Sequence, residues 1–300
     1  ASAALCPTPR EDNSRDIERT SRKRAATLSQ EGHHRFYPEQ LRVVPEWPLL
    51  YWWDQELISE YSANQAIGAL GVMPIGLQTG DNARFLRRPW EVNSRSIDLN
   101  GSRRHGFLQP RRWKPYVKGA SGAKWYEPLS QVISYAGSNL AALGNLESAR
   151  YGQGSEYYFE LGVCPASKGS EFSARVHKYP SIFDVEGSSL YGIPLEKAAT
   201  LLNTSKAKYI AQSLNPTVHF KAGDVLRVPF IEVYQHKEIY KVLEESFVQH
   251  ESSREPSVEF RRPARSGWRH AQEWAQLAVD RPEASPLPEY IEELDPEPPA

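Results

Sequence analysis

Two short stretches carry side chains whose types and spacing suit the handling of a polyanion. In Gly76-Leu77-Gln78-Thr79-Gly80-Asp81-Asn82-Ala83-Arg84-Phe85-Leu86-Arg87-Arg88-Pro89-Trp90-Glu91-Val92, polar groups at Thr79, Asp81 and Asn82 lead into Arg84 and Arg87. Arginine and lysine hold phosphate oxygens, while Thr and Asn can reach base edges. In Lys118-Gly119-Ala120-Ser121-Gly122-Ala123-Lys124, two lysines flank small residues, so the intervening backbone can approach a phosphate closely. The candidates for DNA contact in these stretches are Thr79, Asp81, Asn82, Arg84, Arg87, Lys118 and Lys124. On local sequence alone, a surface hairpin with solvated arginines is the simpler account of the first stretch, because short patterns match by chance.

Other chemistries find little support. Asp184 and Glu186 are the one compact acidic pair near an expected strand end, and a nuclease or hydrolase would have to be built on them. Ser188 and Ser189 lie outside any G-x-S-x-G elbow and read as a turn after a strand. The eight histidines form no H-x-x-x-H or H-E-x-x-H pair, so no metal site is expected. The P-loop order G-x-x-x-x-G-K-[ST] is absent. Gly152-Gln153-Gly154 is a lone G-x-G before an expected strand rather than a helix, which argues against a dinucleotide site. Asn215-Pro216-Thr217 lacks the second proline and the aromatic ring of an adenine-methyltransferase loop, and reads as a helix stop. No catalytic, cofactor-binding or metal residue is predicted in this chain.

The candidate residues need elements to hold them. Of the 300 residues 40% are hydrophobic, with eight Trp and fifteen Tyr, enough for a core. The net charge of −1 gives no global case for nucleic acid, but its distribution does. From Arg84 to Lys124 eleven Lys or Arg stand against two acids, Glu91 and Asp98; after Pro282 there are six acids and no base. Screening confines each patch to about 8–10 Å, so the local surplus matters more than the sum. Two cysteines, Cys6 and Cys164, make neither a disulfide scaffold nor a zinc site and fit a reducing cytoplasm. No apolar run approaches the roughly 20 residues of a membrane span. A start at Ala1-Ser2-Ala3, a single internal methionine, Met73, and a Pro/Glu-rich end lead to the expectation of a piece of a longer polypeptide.

The predicted fold class is α+β, a twisted, mostly antiparallel sheet with flanking helices and a helical C-terminal appendage. Strands are expected at Leu41–Val44, Ile67–Val72 and Tyr157–Val163, and a strand followed by a helix within Gln131–Leu146. Asn100-Gly101 signals a hairpin turn. Helices are expected from the N-cap Asp54 to Tyr61, as one long element over Pro194–Leu214, over His236–Val248 and over Trp268–Val279. The stretch after Asp280 is expected to be extended or disordered. The expected domains are a linker and helix over 1–35, a recognition domain over 36–235, a helical appendage over 236–280 and an acidic tail over 281–300. The aromatic run Trp47–Trp53 reads mainly as core, and with the tail offers an alternative role as a protein-interaction module.

The Gly76–Val92 stretch resembles the G-L-x-T-G-D-N-x-R-F-x-R-x-W-x-E-V signature of the BREX and DISARM (PglX-like) adenine-specific DNA methyltransferases of phage defence, relatives of type IIG restriction-modification enzymes. Further blocks follow in the family's order. Tyr116 to Tyr126 is similar to a Y-x-K-G-G-x-x-x-K-W-Y element, with Ala120 in place of the second glycine. Gly162 to Arg175 and Phe183-Asp184 to Tyr191 are similar to a later recognition block, with Pro165 where an aromatic is usual; this similarity implies Arg175 as a further DNA-facing residue. Leu202-Asn203, Leu214-Asn215-Pro216-Thr217, Phe220, Gly223-Asp224-Val225 and Val228-Pro229 match its ending. The resemblance, over about residues 36–248, implies a target-recognition region that binds double-stranded DNA beside a methyltransferase domain of the same polypeptide, with other defence-system proteins as further partners. It implies S-adenosylmethionine as cofactor of the parent enzyme, and none in this chain.

Overall fold

The computed structural model describes residues 2–5, 25, 28–29, 33–101, 112–119, 125–150, 152, 154–169, 172–215, 217, 219–263 and 267–294. The chain forms two compact units, Ala1–Glu245 and Ser246–Ala300. In the first, β1 (Ser2–Leu5) pairs antiparallel with β2 (His33–Phe36). Seven further short strands follow among the described residues: β3 (Leu86–Arg87), β4 (Trp113–Val117), β5 (Trp125–Glu127), β6 (Val132–Ser134), β7 (Val163–Pro165), β8 (Ala174–His177) and β9 (Ile182–Phe183). They build two sheets, ordered β3-β6-β4-β9 and β5-β8-β7. In each sheet one pair is parallel, β4 with β9 and β5 with β8, and the others are antiparallel.

The helices are α1 (Gln55–Ala63), α2 (Asn82–Phe85), α3 (Gly137–Gly144), α4 (Leu195–Leu202), α5 (Ser205–Leu214), α6 (Ala222–Leu226), α7 (His236–Ser253) and α8 (Arg269–Asp280). This mixed content agrees with the α+β class. In place of one twisted sheet there are small mixed ones, because the strands are short. Pro115 shows how they tolerate their prolines. It pairs with Val132 of β6, while β9 joins β4 only from Tyr116 onward, so the missing N–H falls where no ladder bond is required.

The core gathers Leu77, Phe85, Tyr116, Ile133, Leu143, Tyr158, Ile182, Phe183 and Tyr191. Several expected elements take other forms. Residues 41–43 belong to a 3-10 helix, Pro38–Val43, whose first residue has its φ preset by the proline ring, and Val44 follows it in extended conformation. Ile67–Ala69 is a 3-10 turn, and only Val72 pairs, with Tyr191. The aromatic run before Val163 is a 3-10 turn, Ser155–Tyr157, and Phe159 lies in the left-handed region at φ 68°. Its rings fill the core instead of extending a ladder: Tyr157 stacks on Tyr191 and Tyr158 meets Phe183 edge-on.

The helix expected over Pro194–Leu214 is two. Asn203 turns back, its Nδ2 donating to the carbonyls of Ala199 and Ala174 (both 2.8 Å) while its Oδ1 accepts from the Ala174 N–H. Thr204 then caps α5, its hydroxyl accepting from the Ala207 N–H. Asp54 caps α1 as expected, accepting from Leu57 N at 2.8 Å. In the second unit the chain after Asp280 returns along α8. Trp274 Nε1 donates to the Pro288 carbonyl (2.9 Å), and Tyr290 packs on His270 and Trp274. The stretch thus packs on the helix as far as Tyr290 and ends in a 3-10 turn, Glu292–Leu294; residues 295–300 lie outside the described ones. Among the described residues no helix is long and apolar enough to cross a membrane.

Candidate functional site

Three segments far apart in sequence meet at one cleft of about 450 Å³. Its described walls are Gln78, Thr79, Gly80 and Asn82 from the Gly76–Val92 motif, Lys118 from the Tyr116–Tyr126 element, and Asp184, Val185 and Glu186 from the Phe183–Tyr191 segment. The sheet explains the meeting. Strands β4 and β9 are parallel, with Val117 opposite Phe183, so Lys118 and Asp184 emerge at the same edge. Leu77 N then donates to the Phe183 carbonyl at 2.8 Å, laying the first motif along β9. The Tyr116 hydroxyl donates to the Leu77 carbonyl at 2.9 Å and holds the motif to β4 as well. Gly76 is required for space: a Cβ there would lie 2.2 Å from the Phe183 carbonyl oxygen. Gly80, at φ 70°, supplies the positive-φ turn.

The candidate residues take different places. Thr79 is buried, and its hydroxyl donates to Asn82 Oδ1 at 2.6 Å. Asp81 caps α2, accepting from Arg84 N at 3.0 Å. Arg84 is exposed, with its guanidinium over the Phe85 ring. Arg87 is half-buried and donates to the Ala83 and Leu86 carbonyls, so it closes its own turn. Lys118 lines the cleft with Nζ 4.0 Å from Asp184 Oδ2. Lys124 and the hairpin after Gly101 lie outside the described residues.

Arg175 corrects the expectation. Its side chain is 0% exposed and pairs with Glu127 of β5, and its second guanidinium nitrogen donates to the Lys118 carbonyl (2.9 Å). It props the Lys118 wall from behind and presents nothing to a ligand. The sequence reading missed Gln78 as a cleft residue, although it sits within the first motif. It weighed Asp184 and Glu186 only as hydrolytic acids. The aromatic run divides: Leu50 and Trp53 are buried, while Trp47 is 63% exposed beneath the Arg42 guanidinium.

Electrostatics distinguish the two acids. Burial raises the Asp184 carboxyl above its ordinary value, opposed by the Glu186 backbone N–H and by Lys118. Glu186 is exposed and bonded to Lys168. Behind the cleft, Ser189 Oγ stands 2.7 Å from His177 Nε2 and donates to the Gly187 carbonyl at 2.8 Å. The serine proton is thereby committed, so Nε2 is assigned as the donor and cannot serve as a base toward it. Both residues are fully buried, and burial holds His177 down to about 3 and the neighbouring Cys164 thiol up to about 12. This is a structural cluster, not a nucleophile with its base.

Gly154 and Asn215 both serve the fold. Gly154 leads into a 3-10 turn, and a Cβ there would meet the Ile75 carbonyl at 2.6 Å. Asn215 is fully engaged: Nδ2 donates to the His219 carbonyl and Asp224, and Oδ1 accepts from Thr217 N and Oγ1. Among the described residues no three His, Cys, Asp or Glu gather as metal ligands.

No family model matches the chain. It is 29% identical over 224 residues to the adenine-specific methyltransferase PglX of Lacticaseibacillus casei (strain Zhang), covering 71% of this chain and 18% of that protein. It is 26% identical over 197 residues to the adenine-specific methyltransferase BrxX of Escherichia coli O9:H4 (strain HS), covering 64% of this chain and 16% of that protein. The chain thus spans less than a fifth of the length of the curated relatives it matches. Over about two-thirds of its length, and as its motifs led one to expect, the chain is a homologue of the adenine-specific methyltransferases PglX and BrxX.

Proposed function

We propose that this chain is the DNA target-recognition portion of a site-specific adenine-N6 DNA methyltransferase of a phage-defence or restriction-modification system. Residues 36–235 grip duplex DNA and present the target adenine to a methyltransferase domain elsewhere in the same polypeptide, acting in the cytoplasm. Methyl transfer from S-adenosylmethionine belongs to that other domain. The observation that carries the reading is the convergence of three resemblance blocks on one polar cleft, with exposed Arg84, Arg88 and Arg95 on the segment leaving its wall. Exposed guanidinium groups suit phosphate contacts, and each contact releases counterions.

Fluorescence anisotropy of the 300-residue chain on duplex DNA across a salt series tests this. Affinity is expected to fall linearly on a log–log plot. Arg84→Ala/Arg88→Ala should weaken binding to all sequences and lower the slope by about two, roughly one per lost contact. Salt-independent binding, or none at low salt, would refute the reading for this chain. One observation favours a second reading: Asp184, Glu186 and Lys118 share the cleft, the acid and lysine set of a hydrolytic nuclease. It requires divalent-dependent duplex cleavage that Asp184→Ala abolishes.

A further inference from the structure

Charge and geometry decide which part of a duplex the cleft can take. Lys118 stands beside Asp184, and Lys168 neutralises Glu186. Among the described residues these four charges offset one another, unlike the exposed arginines of the first motif. The acceptors of the cleft are another matter. Asp184 Oδ2 is 4.0 Å from the Lys118 ammonium, beyond hydrogen-bond range; its Oδ1 accepts a long 3.3 Å bond from Glu186 N, and the Val185 N–H and the Tyr116 hydroxyl also face the carboxylate, which has more acceptor sites than these use. Gln78 is exposed along the wall, its main chain pinned by paired bonds to Arg150 (3.2 and 2.9 Å). In the major groove a carboxylate accepts from an exocyclic amine, and Gln pairs with the N6/N7 edge of adenine. Among the described residues lining the cleft none is aromatic, and none of them offers a ring on which to stack an extruded base.

Resting on the DNA-recognition reading above, we propose that the cleft receives a base-pair edge bearing an exocyclic amine. Asp184 and Gln78 are the specificity-determining acceptor and reader, and the exposed arginines hold the backbone. The burial that disfavours the Asp184 charge agrees with a carboxylate held for a ligand more than for stability.

The test is selection of a randomised duplex library by the 300-residue chain, with Asp184→Asn, Gln78→Ala and Arg84→Ala alongside, followed by salt titration of the selected sites. Asp184→Asn and Gln78→Ala should change preference at one or two positions by about ten- to a hundredfold, with the salt slope unchanged. Arg84→Ala should lower the slope by about one and leave the preference intact. Uniform weakening by Asp184→Asn and Gln78→Ala, or an unchanged preference in both, would overturn the assignment. Should Asp184→Asn fail to fold, as thermal unfolding would reveal, exposed Gln78 decides the matter. Salt-dependent binding with no preferred sequence overturns the base-edge assignment while leaving duplex contact intact. Absence of binding removes both readings.

Discussion

At the scale of the residue, Arg175 is the clearest case of charge that is not a contact. It sits in β8 opposite Trp125, beside an acid 48 positions away in the chain. Burial lowers its guanidinium only to about 10, so it stays charged at neutral pH. Removing one partner of a buried pair strands the other. Arg175→Met is therefore expected to destabilise the first unit by about 3–5 kcal/mol, and Arg175→Met/Glu127→Leu to recover a large part of that. Urea unfolding checks both; an unchanged midpoint for Arg175→Met would mean that the pair contributes nothing. A lone arginine in Phe-Ser-Ala-Arg looks like a surface cation because its partner lies in another strand, and local sequence cannot show burial.

At the scale of the element, the cleft depends on backbones pressed together. The Gly76 Cβ position lies 2.2 Å from the Phe183 oxygen and 2.5 Å from the Asp184 oxygen, and neither can swing away like a side chain. Gly76→Ala should cost about 1–3 kcal/mol and open the cleft wall. Gly144→Ala is the control: nothing lies within 4 Å, and it closes α3, so alanine should be neutral or slightly stabilising. Equal midpoints for the two variants in urea would contradict the close approach. The glycine was legible as a turn residue, but its reason was not, since crowding by β9 involves a strand more than a hundred residues later. The break between α4 and α5 has the same origin. Periodicity shows an apolar stripe, but not that Asn203 bonds the β8 backbone.

At the scale of the whole molecule, the buried groups set the response to acid. His177 is held down to about 3, chiefly by burial and also by Arg175, and faces Ser189. The unfolded chain takes up that proton near the ordinary histidine value of 6.5, while the folded one does not until about 3. Across that window the unfolded state binds more protons, so stability present above 6.5 is lost as pH falls. Asp184 acts with the opposite sign: its raised carboxyl lets the folded state bind its proton earlier, which favours folding as pH drops. The larger histidine shift should prevail. The thermal midpoint should fall between pH 7 and pH 4, and His177→Gln should flatten that dependence. A variant profile parallel to the parent's would show that His177 is not the group responsible.

What the sequence determined by itself was local: the cap at Asp54, the strand β6 followed by the helix α3, the helical content of α1, α7 and α8, and the motif order that led to the PglX and BrxX homology. Those signals rest on neighbouring residues, whose propensities and spacing survive without tertiary context. Only the folded chain decided that Thr79 is buried and Asn82 its partner, that Arg87 bonds its own turn, that Arg175 lies behind the site, and that Gln78 and Asp184 share a cleft with Lys118. The shared cleft depends on the parallel pairing of β4 with β9, and the place of Arg175 on that of β5 with β8. Such pairing joins segments about fifty to seventy residues apart, a separation at which periodicity and composition carry no information.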